Sequence, residues 1–488
     1  MSINRDILLE IRKTKSQEIN LSEKIDKEID TNLALIYPSP YHIAMSSLGY
    51  QTIYRLFNNI EGVNCERSFL PENTDMYRKK KTKVFTYESE IEIDKFDILA
   101  FSVAYETEIM GFIEIAELSN IPYLSSERDP KYHPLIIAGG PLTFSNPLPL
   151  GPFIDVVLLG EAEDLLEIFI ENYKEIKDRK KLLEKLSEIH GFYVPSLHKD
   201  FLPIIAKADH ARLPAHSDIL TPNTELANMF LIEPERGCSR GCTFCVMRRS
   251  TNNGMRLVTI EDLMSKIPDI AKKVGLVGAA VSDHPKIVPI LEELVINRKK
   301  QIGISSLRAD RLTERFVELL SLGGNKTLTV ASDGASERIR DFMEKKIKEK
   351  HIIKSAEFAK QFKFKFLKLY QMIGVPGETD EDIDELIDFT IQISKITKTA
   401  MGISPFVAKK NTPLDKSDFE GIKSIDNKLK KINKFLGKHI DVRTTSAKWA
   451  WIEYKLSQGS YDTGFAVIEA YKNGGNFAAW KTAFENNN

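Results

Sequence analysis

Cysteine is scarce in this chain, with four in 488 residues. Three of the four, Cys238, Cys242 and Cys245, crowd into one short segment, and only Cys65 lies elsewhere. That count excludes a disulfide-stapled fold, and the clustered thiols are too close in sequence to pair among themselves. A second set of three thiolates, or a spare thiol pair, is excluded as well. An excess of charge of one sign is also missing: 68 Lys and Arg face 69 Asp and Glu, for a net charge of −1. No bulk attraction to nucleic acid or an anionic surface follows from that balance. The N-terminal residues lack the apolar stretch of a secretory signal, and no apolar run is long enough to span a bilayer. Low-complexity tracts and tandem repeats are absent. The expected location is therefore the cytoplasm, and the length predicts two or three domains.

What is present is the run Cys238-Ser-Arg-Gly-Cys242-Thr-Phe-Cys245. Thiolates at CxxxCxxC spacing can hold three corners of a four-iron cubane and leave the fourth iron open to bind a small molecule and pass it an electron. A structural zinc site wants a fourth Cys or His close by, and Val246-Met247-Arg248-Arg249 supplies none. Cys65 reads as a small, semi-buried thiol.

Residues 1–32 carry helical spacing (Ile7, Leu8, Ile11) and read as an N-terminal helical extension. From 33 to 165, short apolar runs alternate with turns and helical stretches: Leu33–Tyr37, Ile98–Val103, Leu135–Ala138 and Val156–Leu159. The alternation predicts a doubly wound parallel sheet, an α/β fold whose ligands bind at strand carboxyl ends. Two such ends are turns, Ala138-Gly139-Gly140-Pro141 and Leu159-Gly160-Glu161-Ala162-Glu163. Residues 166–225 read as a helical and irregular bridge, and 411–488 as a helical, aromatic-rich region.

The cysteine run, with Phe244 before its last cysteine and Glu235-Arg236-Gly237 ahead of it, resembles the signature of the radical S-adenosylmethionine (SAM) superfamily. The Gly-Gly-Pro and Gly-Glu-x-Glu turns upstream resemble the cobalamin (B12)-binding domain of one branch of that superfamily. The resemblance implies a partial (βα)6 barrel over 226–410, with strands at Met229–Ile232, Gly275–Val281, Ile302–Ile304, Thr327–Ala331, Phe366–Met372 and Met401–Phe406. It implies a [4Fe-4S] cluster on Cys238, Cys242 and Cys245, whose open iron chelates SAM. One electron then cleaves SAM to methionine and a 5′-deoxyadenosyl radical.

Carried over residue by residue, Phe244 would pack near the adenine, and Gly237 and Gly241 would let the loop wrap the cluster. Ser282 and Asp283 would meet the SAM amino group, and Ser305 and Arg308 its carboxylate or ribose. A helix-capping turn explains Ser305 and Arg308 equally well. Ile373 and Gly374 would line the adenine, and Ser404 and Phe406 belong to the closing strand. Asp333 stands where related sequences often have Glu. Gly139, Gly140, Gly160 and Glu161 would contact cobalamin. No residue is assigned to proton transfer.

One departure matters. The common B12 module carries Asp-x-His-x-x-Gly after its first strand, whereas this chain has Tyr37-Pro-Ser-Pro-Tyr41-His42, with His42 out of frame. Many members of that branch lack the motif and bind cobalamin without a protein axial ligand, so the resemblance still implies cobalamin, with a retained fold that binds no cofactor as the alternative. The basic loop Met247–Arg256 is a candidate for substrate phosphate or carboxylate, or a solvated loop. The favoured reading is a radical SAM enzyme that uses cobalamin to methylate an unactivated carbon. Other radical C–H functionalisation or rearrangement is the first alternative, and a non-enzymatic iron–sulfur sensing protein the second. The implied partners are an external electron donor such as flavodoxin or ferredoxin, no membrane, and a substrate left open among small molecule, peptide and RNA.

Overall fold

The computed structural model describes residues 5–22, 27–247, 254–305 and 307–487. The chain forms two compact units, one of Met1–Asn228 with Gln458–Asn488 and the other of Met229–Ser457.

The first unit is built on a six-stranded sheet: β1 (Thr31–Tyr37), β2 (Val63–Phe69), β3 (Ile98–Ser102), β4 (Leu135–Gly139), β5 (Val156–Leu158) and β6 (Phe192–Tyr193). Their spatial order is β2-β1-β3-β4-β5-β6; the first five are parallel and β6 is antiparallel. The order reverses at β1, which has β2 on one side and β3 on the other, so the crevice of this doubly wound sheet lies at the carboxyl ends of β1 and β3. Leu33, Leu35, Ile98, Ile137, Val156 and Phe169 are buried in one core cluster around it.

β2 is a strand that apolar periodicity does not reveal. Its sequence, Val-Asn-Cys-Glu-Arg-Ser-Phe, is mostly polar, yet Glu66, Arg67 and Ser68 are buried. Partners elsewhere in the unit make this possible. Arg67 pairs with Glu18 at 2.8 Å and Glu88 at 2.7 Å, and Glu66 accepts from the Thr86 and Ser89 hydroxyls, each at 2.6 Å. Cys65 sits on this strand and is fully rather than partly buried, at 1% exposure.

The second unit carries β7 (Met229–Ile232), the short antiparallel pair β8 (Glu235–Gly237) and β9 (Met255–Leu257), then β10 (Lys273–Leu276), β11 (Gln301–Ile304), β12 (Thr327–Ala331), β13 (Phe366–Ile373), β14 (Thr399–Pro405) and β15 (Asp441–Thr444). The parallel layer runs β7-β10-β11, crosses a parallel bridge from Leu307 to Val330, and continues β12-β13-β14-β15. The six expected strands are all there. β15 adds a seventh, inside the region read as wholly helical, with Asp441–Thr444 opposite Ala400–Ile403. Asp-Val-Arg-Thr is too short and polar to signal a strand by itself, and register with β14 creates it. β10 ends at Leu276 rather than Val281, and the helix before it covers only Ile260–Lys266, with Pro268 just beyond.

The acidic run after β13 behaves as capping chemistry. Asp382 accepts from the Thr379 amide at 2.7 Å and the Ser336 hydroxyl at 2.6 Å at the start of the helix Asp380–Ile396, and it pairs with Arg338. Burial alone would raise its carboxyl; Arg338, Ser336 and Thr379 outweigh that and lower it to about 2. The folded value lies below the unfolded one, so this stabilisation is complete above the ordinary Asp range and is lost as pH falls toward 2. In an acid titration followed by circular dichroism, Asp382→Asn should lose less stability than wild type between about pH 4 and 2.

Candidate functional site

The β8–β9 pair closes a hairpin whose connecting loop begins with the three cysteines, all of them thiols rather than disulfides. Cys242 is buried, and Cys238 and Cys245 are half-buried. Two segments of this unit anchor the loop, and a third contact lies within it. The Thr243 amide donates to the Met343 carbonyl at 3.0 Å, the Leu414 amide donates to the Thr243 carbonyl at 3.2 Å, and the Arg240 amide points at Cys238 Sγ at 3.4 Å. A Cβ at Gly241 would come within 2.8 Å of the Glu344 carboxylate, which would have to shift to admit it.

Burial is the main cause that pushes the Cys238 thiol up and the Cys245 thiol up to about 11, and each also feels the charge of its neighbouring cysteines. Thiols held so close and so dry need a bound cation to become thiolates. Among the described residues no three Cys, His, Asp or Glu converge tightly enough for a single metal ion. A polynuclear cluster spreads its ligands more widely, and the donor set of three thiols and no fourth ligand fits one.

Asp283, on the turn after β10, is fully engaged. It binds Arg240 of the cysteine loop at 2.6 and 3.0 Å and Arg311 at 3.0 Å. Burial works against ionisation there, but Arg240, Arg308 and Arg311 hold the carboxyl below its ordinary range. Asp283 thus ties the cysteine loop to the strand exits. Ser282 is buried and accepts from the Arg308 amide at 3.3 Å, while Arg308 binds Asp310 at 3.0 Å and the Lys345 carbonyl at 2.8 Å. Ser282, Asp283 and Arg308 are therefore brought to the cysteine loop. Ser305 is exposed, and its neighbour Ser306 lies outside the described residues.

Phe244 packs with Phe406, Val375, Met343 and Tyr454 in one apolar cluster beside the loop. The Phe406 amide donates to the Ile373 carbonyl at 2.8 Å, and the Gly374 amide donates to Glu378 at 2.8 Å. Ile373 itself is fully buried, and exposed Ser404 shares a hydrogen bond with Thr445 at 3.1 Å. Asp333 pairs with Lys345, and His284 is buried with Nδ1 accepting from the Lys286 amide at 3.1 Å. Of the basic loop Met247–Arg256, residues 248–253 lie outside the described residues. Sequence reasoning missed Arg240, which lies between the first two cysteines and whose partner Asp283 comes from another loop.

In the first unit, a cavity of about 880 Å³ opens over the carboxyl ends of β1 and β2 and the helix Glu108–Leu118, with Ser39, Glu72, Arg78 and Tyr471 in its wall. Gly139, Gly140, Gly160 and Glu161 do not line it. Gly139 and Gly140 are half-buried at the end of β4, and Gly140 lies so close to the Val103 carbonyl that a Cβ would come within 2.6 Å. Gly160 packs equally tightly on Ala206, and the Glu161 carboxylate accepts from the Ala208 amide at 2.9 Å. The chain itself therefore covers Gly160 and Glu161, and it fills the Cβ direction of Gly140 as well. His42 faces Glu72 at 3.1 Å.

Comparison with known proteins adds the following. Residues 49–195 match the family model for radical SAM proteins, N-terminal, and residues 232–390 the model for the radical SAM superfamily. An uncharacterized protein of Methanocaldococcus jannaschii is 30% identical over 419 residues, covering 83% of this chain and 84% of that one. An uncharacterized methyltransferase of Pyrococcus horikoshii is 24% identical over 275 residues, covering 52% of this chain and 57% of that one. Among solved structures, the cobalamin-dependent SAM radical enzyme OxsB, with aqua-cobalamin and SAM bound, superposes with a TM-score of 0.53 at 16% identity. The match covers 89% of this chain and 62% of that one, and it shows a shared fold.

Proposed function

We infer the function from the premise that this chain belongs to the radical SAM superfamily, in the branch with an N-terminal cobalamin-binding-like domain, and we propose that it is a cobalamin-dependent methyltransferase acting on an unactivated carbon. The observation that carries the radical reading is the anchored loop of three thiols with no fourth ligand beside them among the described residues. When bound, the [4Fe-4S] cluster gives SAM the electron that yields methionine and the 5′-deoxyadenosyl radical, and cobalamin supplies the methyl group.

The residues divide the work. Cys238, Cys242 and Cys245 would hold the cluster, and Arg240 on Asp283 would fix the loop that presents it. Phe244, Phe406 and Val375 form an apolar wall suited to the adenine. Such a wall would also exclude water from a radical, and fixed geometry is the protein's main lever on the reaction. Gly139 and Gly140 would lie against cobalamin. Support for methyl transfer comes from the methyltransferase relative, and support for cobalamin from the cobalamin-dependent fold neighbour. Among the described residues no helix is long and apolar enough to cross a membrane, and an oxygen-sensitive cluster suits the cytoplasm.

Anaerobically reconstituted protein with dithionite should convert SAM to 5′-deoxyadenosine; failure with four irons bound would sink the radical reading. Protein purified after growth with B12 should show corrinoid absorption bands. A spectrum without them would leave the radical chemistry and remove the methyl carrier.

A further inference from the structure

Two opposite charges line one cavity of the second unit without neutralising each other. The cavity measures about 400 Å³ and is walled by Phe419, Ile422, Trp451 and Tyr454, with Asp418 and Lys455 in the same lining. Among the described residues neither Asp418 nor Lys455 has an ion-pair partner. The acids beside them in sequence are taken: Glu420 lies 2.8 Å from Lys428, and Glu453 lies 2.7 Å from Lys409.

Local sequence builds this arrangement. On the helix Ala447–Gln458, Trp451, Tyr454 and Lys455 fall at i, i+3 and i+4 and so share one face, while Ala450, Ile452 and Leu456 are buried. The Lys455 ammonium lies 5.7 Å from the centre of the Trp451 ring, and the Phe419 and Tyr454 rings lie 5.8 Å apart at 34°. Gly421 keeps the floor open. Its backbone is left-handed at φ +105°, and no atom lies within 4 Å of where a Cβ would stand. Tyr454 also packs on the apolar cluster that holds Phe244, so the cavity backs onto the wall beside the cysteine loop. Burial, with the charge of Asp418, raises the Tyr454 phenol, so the field of that carboxylate reaches the aromatic wall.

Three rings favour a flat apolar group, and the volume is that of a small-molecule site. A cationic ligand alone would leave Lys455 unmatched, and an anionic one alone would leave Asp418 unmatched. A ring that carries both an ammonium and a carboxylate answers the two charges together. We propose that this cavity binds a free aromatic α-amino acid, with its ring among Phe419, Trp451 and Tyr454, its ammonium toward Asp418 and its carboxylate toward Lys455. The assignment does not rest on the radical reading.

The test uses the full chain, purified anaerobically, with dissociation constants from titration calorimetry. The probes are L-tryptophan, N-acetyl-L-tryptophan without the ammonium, L-tryptophanamide without the carboxylate, and indole without either. Wild type should bind L-tryptophan about fivefold more tightly than each singly blocked form, the upper worth of a charge pair at an exposed site. Asp418→Asn should weaken L-tryptophan by that factor and leave N-acetyl-L-tryptophan unchanged. Lys455→Met should weaken L-tryptophan likewise and leave L-tryptophanamide unchanged. Both side chains reach solvent, so the thermal midpoints should match wild type. Trp451→Ala should weaken every probe, indole included, by about 2- to 10-fold. An L-tryptophan titration with no saturation below about 1 mM overturns the site. Indole that binds as tightly as L-tryptophan overturns the zwitterionic ligand. So does equally tight N-acetyl-L-tryptophanamide, which stands for a residue inside a peptide. Charge variants that shift every probe alike overturn the roles of Asp418 and Lys455.

Discussion

Cys242→Ala is expected to fold, to lose the four-iron cluster, and to release no 5′-deoxyadenosine above background. Cys242 is the buried member of the triad, at 8% exposure, and it occupies the middle of the loop. Losing its sulfur would leave two thiols for a cluster whose fourth iron already lacks a protein ligand. Two ligands cannot both retain that cluster and leave an iron open to SAM. The fold should survive, because the loop is held by backbone contacts to Met343 and Leu414 and by the Arg240–Asp283 pair rather than by the sulfur. Removing one small buried group costs about 1 kcal/mol of packing. Cys65→Ala is the matched control. Cys65 is just as dry but lies on β2 in the other unit, so its loss should cost a similar amount of stability and no iron. Iron and sulfide analysis with the absorbance near the cluster bands reads both variants. A Cys242→Ala protein that still held its cluster and cleaved SAM would refute the ligand assignment.

The sequence was informative where one signal sufficed. β12 and β13 are apolar runs with periodicity of two, flanked by glycine and acidic caps, and they appear almost where the pattern puts them. β2 was hidden because its stability depends on residues far along the chain: Arg67 is tolerable only with Glu18 and Glu88 beside it. β15 was hidden because four polar residues become a strand only through register with β14. The same division applies to the candidate site. The cysteines are legible because spacing alone encodes a ligand set. Asp283 was placed at the right strand exit, but its partners Arg240 and Arg311 come from two other loops, and no local pattern shows that its charge is already used. Glu235 stood within the recognised segment, yet the missing partner of its second oxygen, among the described residues, can be recognised only once the surroundings are known.

Lys428→Met is expected to be the most destabilising single change outside the cores, by about 3–5 kcal/mol in urea unfolding at neutral pH. Lys428 lies on the helix Ile422–Leu436, and its ammonium reaches Glu378 at 2.7 Å and Glu420 at 2.8 Å. The Glu378 side chain has 0% exposure, and its second oxygen has no hydrogen-bond partner among the described residues. Methionine keeps most of the volume of lysine, so the loss is one of charge: a carboxylate stays buried with only the Gly374 amide, at 2.8 Å, to solvate it. Burial already raises the Glu378 carboxyl against the pull of Lys428, and removing that pull raises it further. The anion is the costly form. The deficit should therefore shrink in mild acid, where Glu378 takes up a proton, and grow as pH rises. Adding Glu378→Gln should recover much of the stability at neutral pH, because a neutral amide needs no counter-charge. The Gly374 turn that this pair secures follows directly on Ile373, so Lys428→Met should also loosen the strand end beside Phe406 and weaken SAM binding. A double variant that restores stability should restore binding with it. A loss below about 1 kcal/mol for Lys428→Met would show that water reaches Glu378 and that the turn is held by other means.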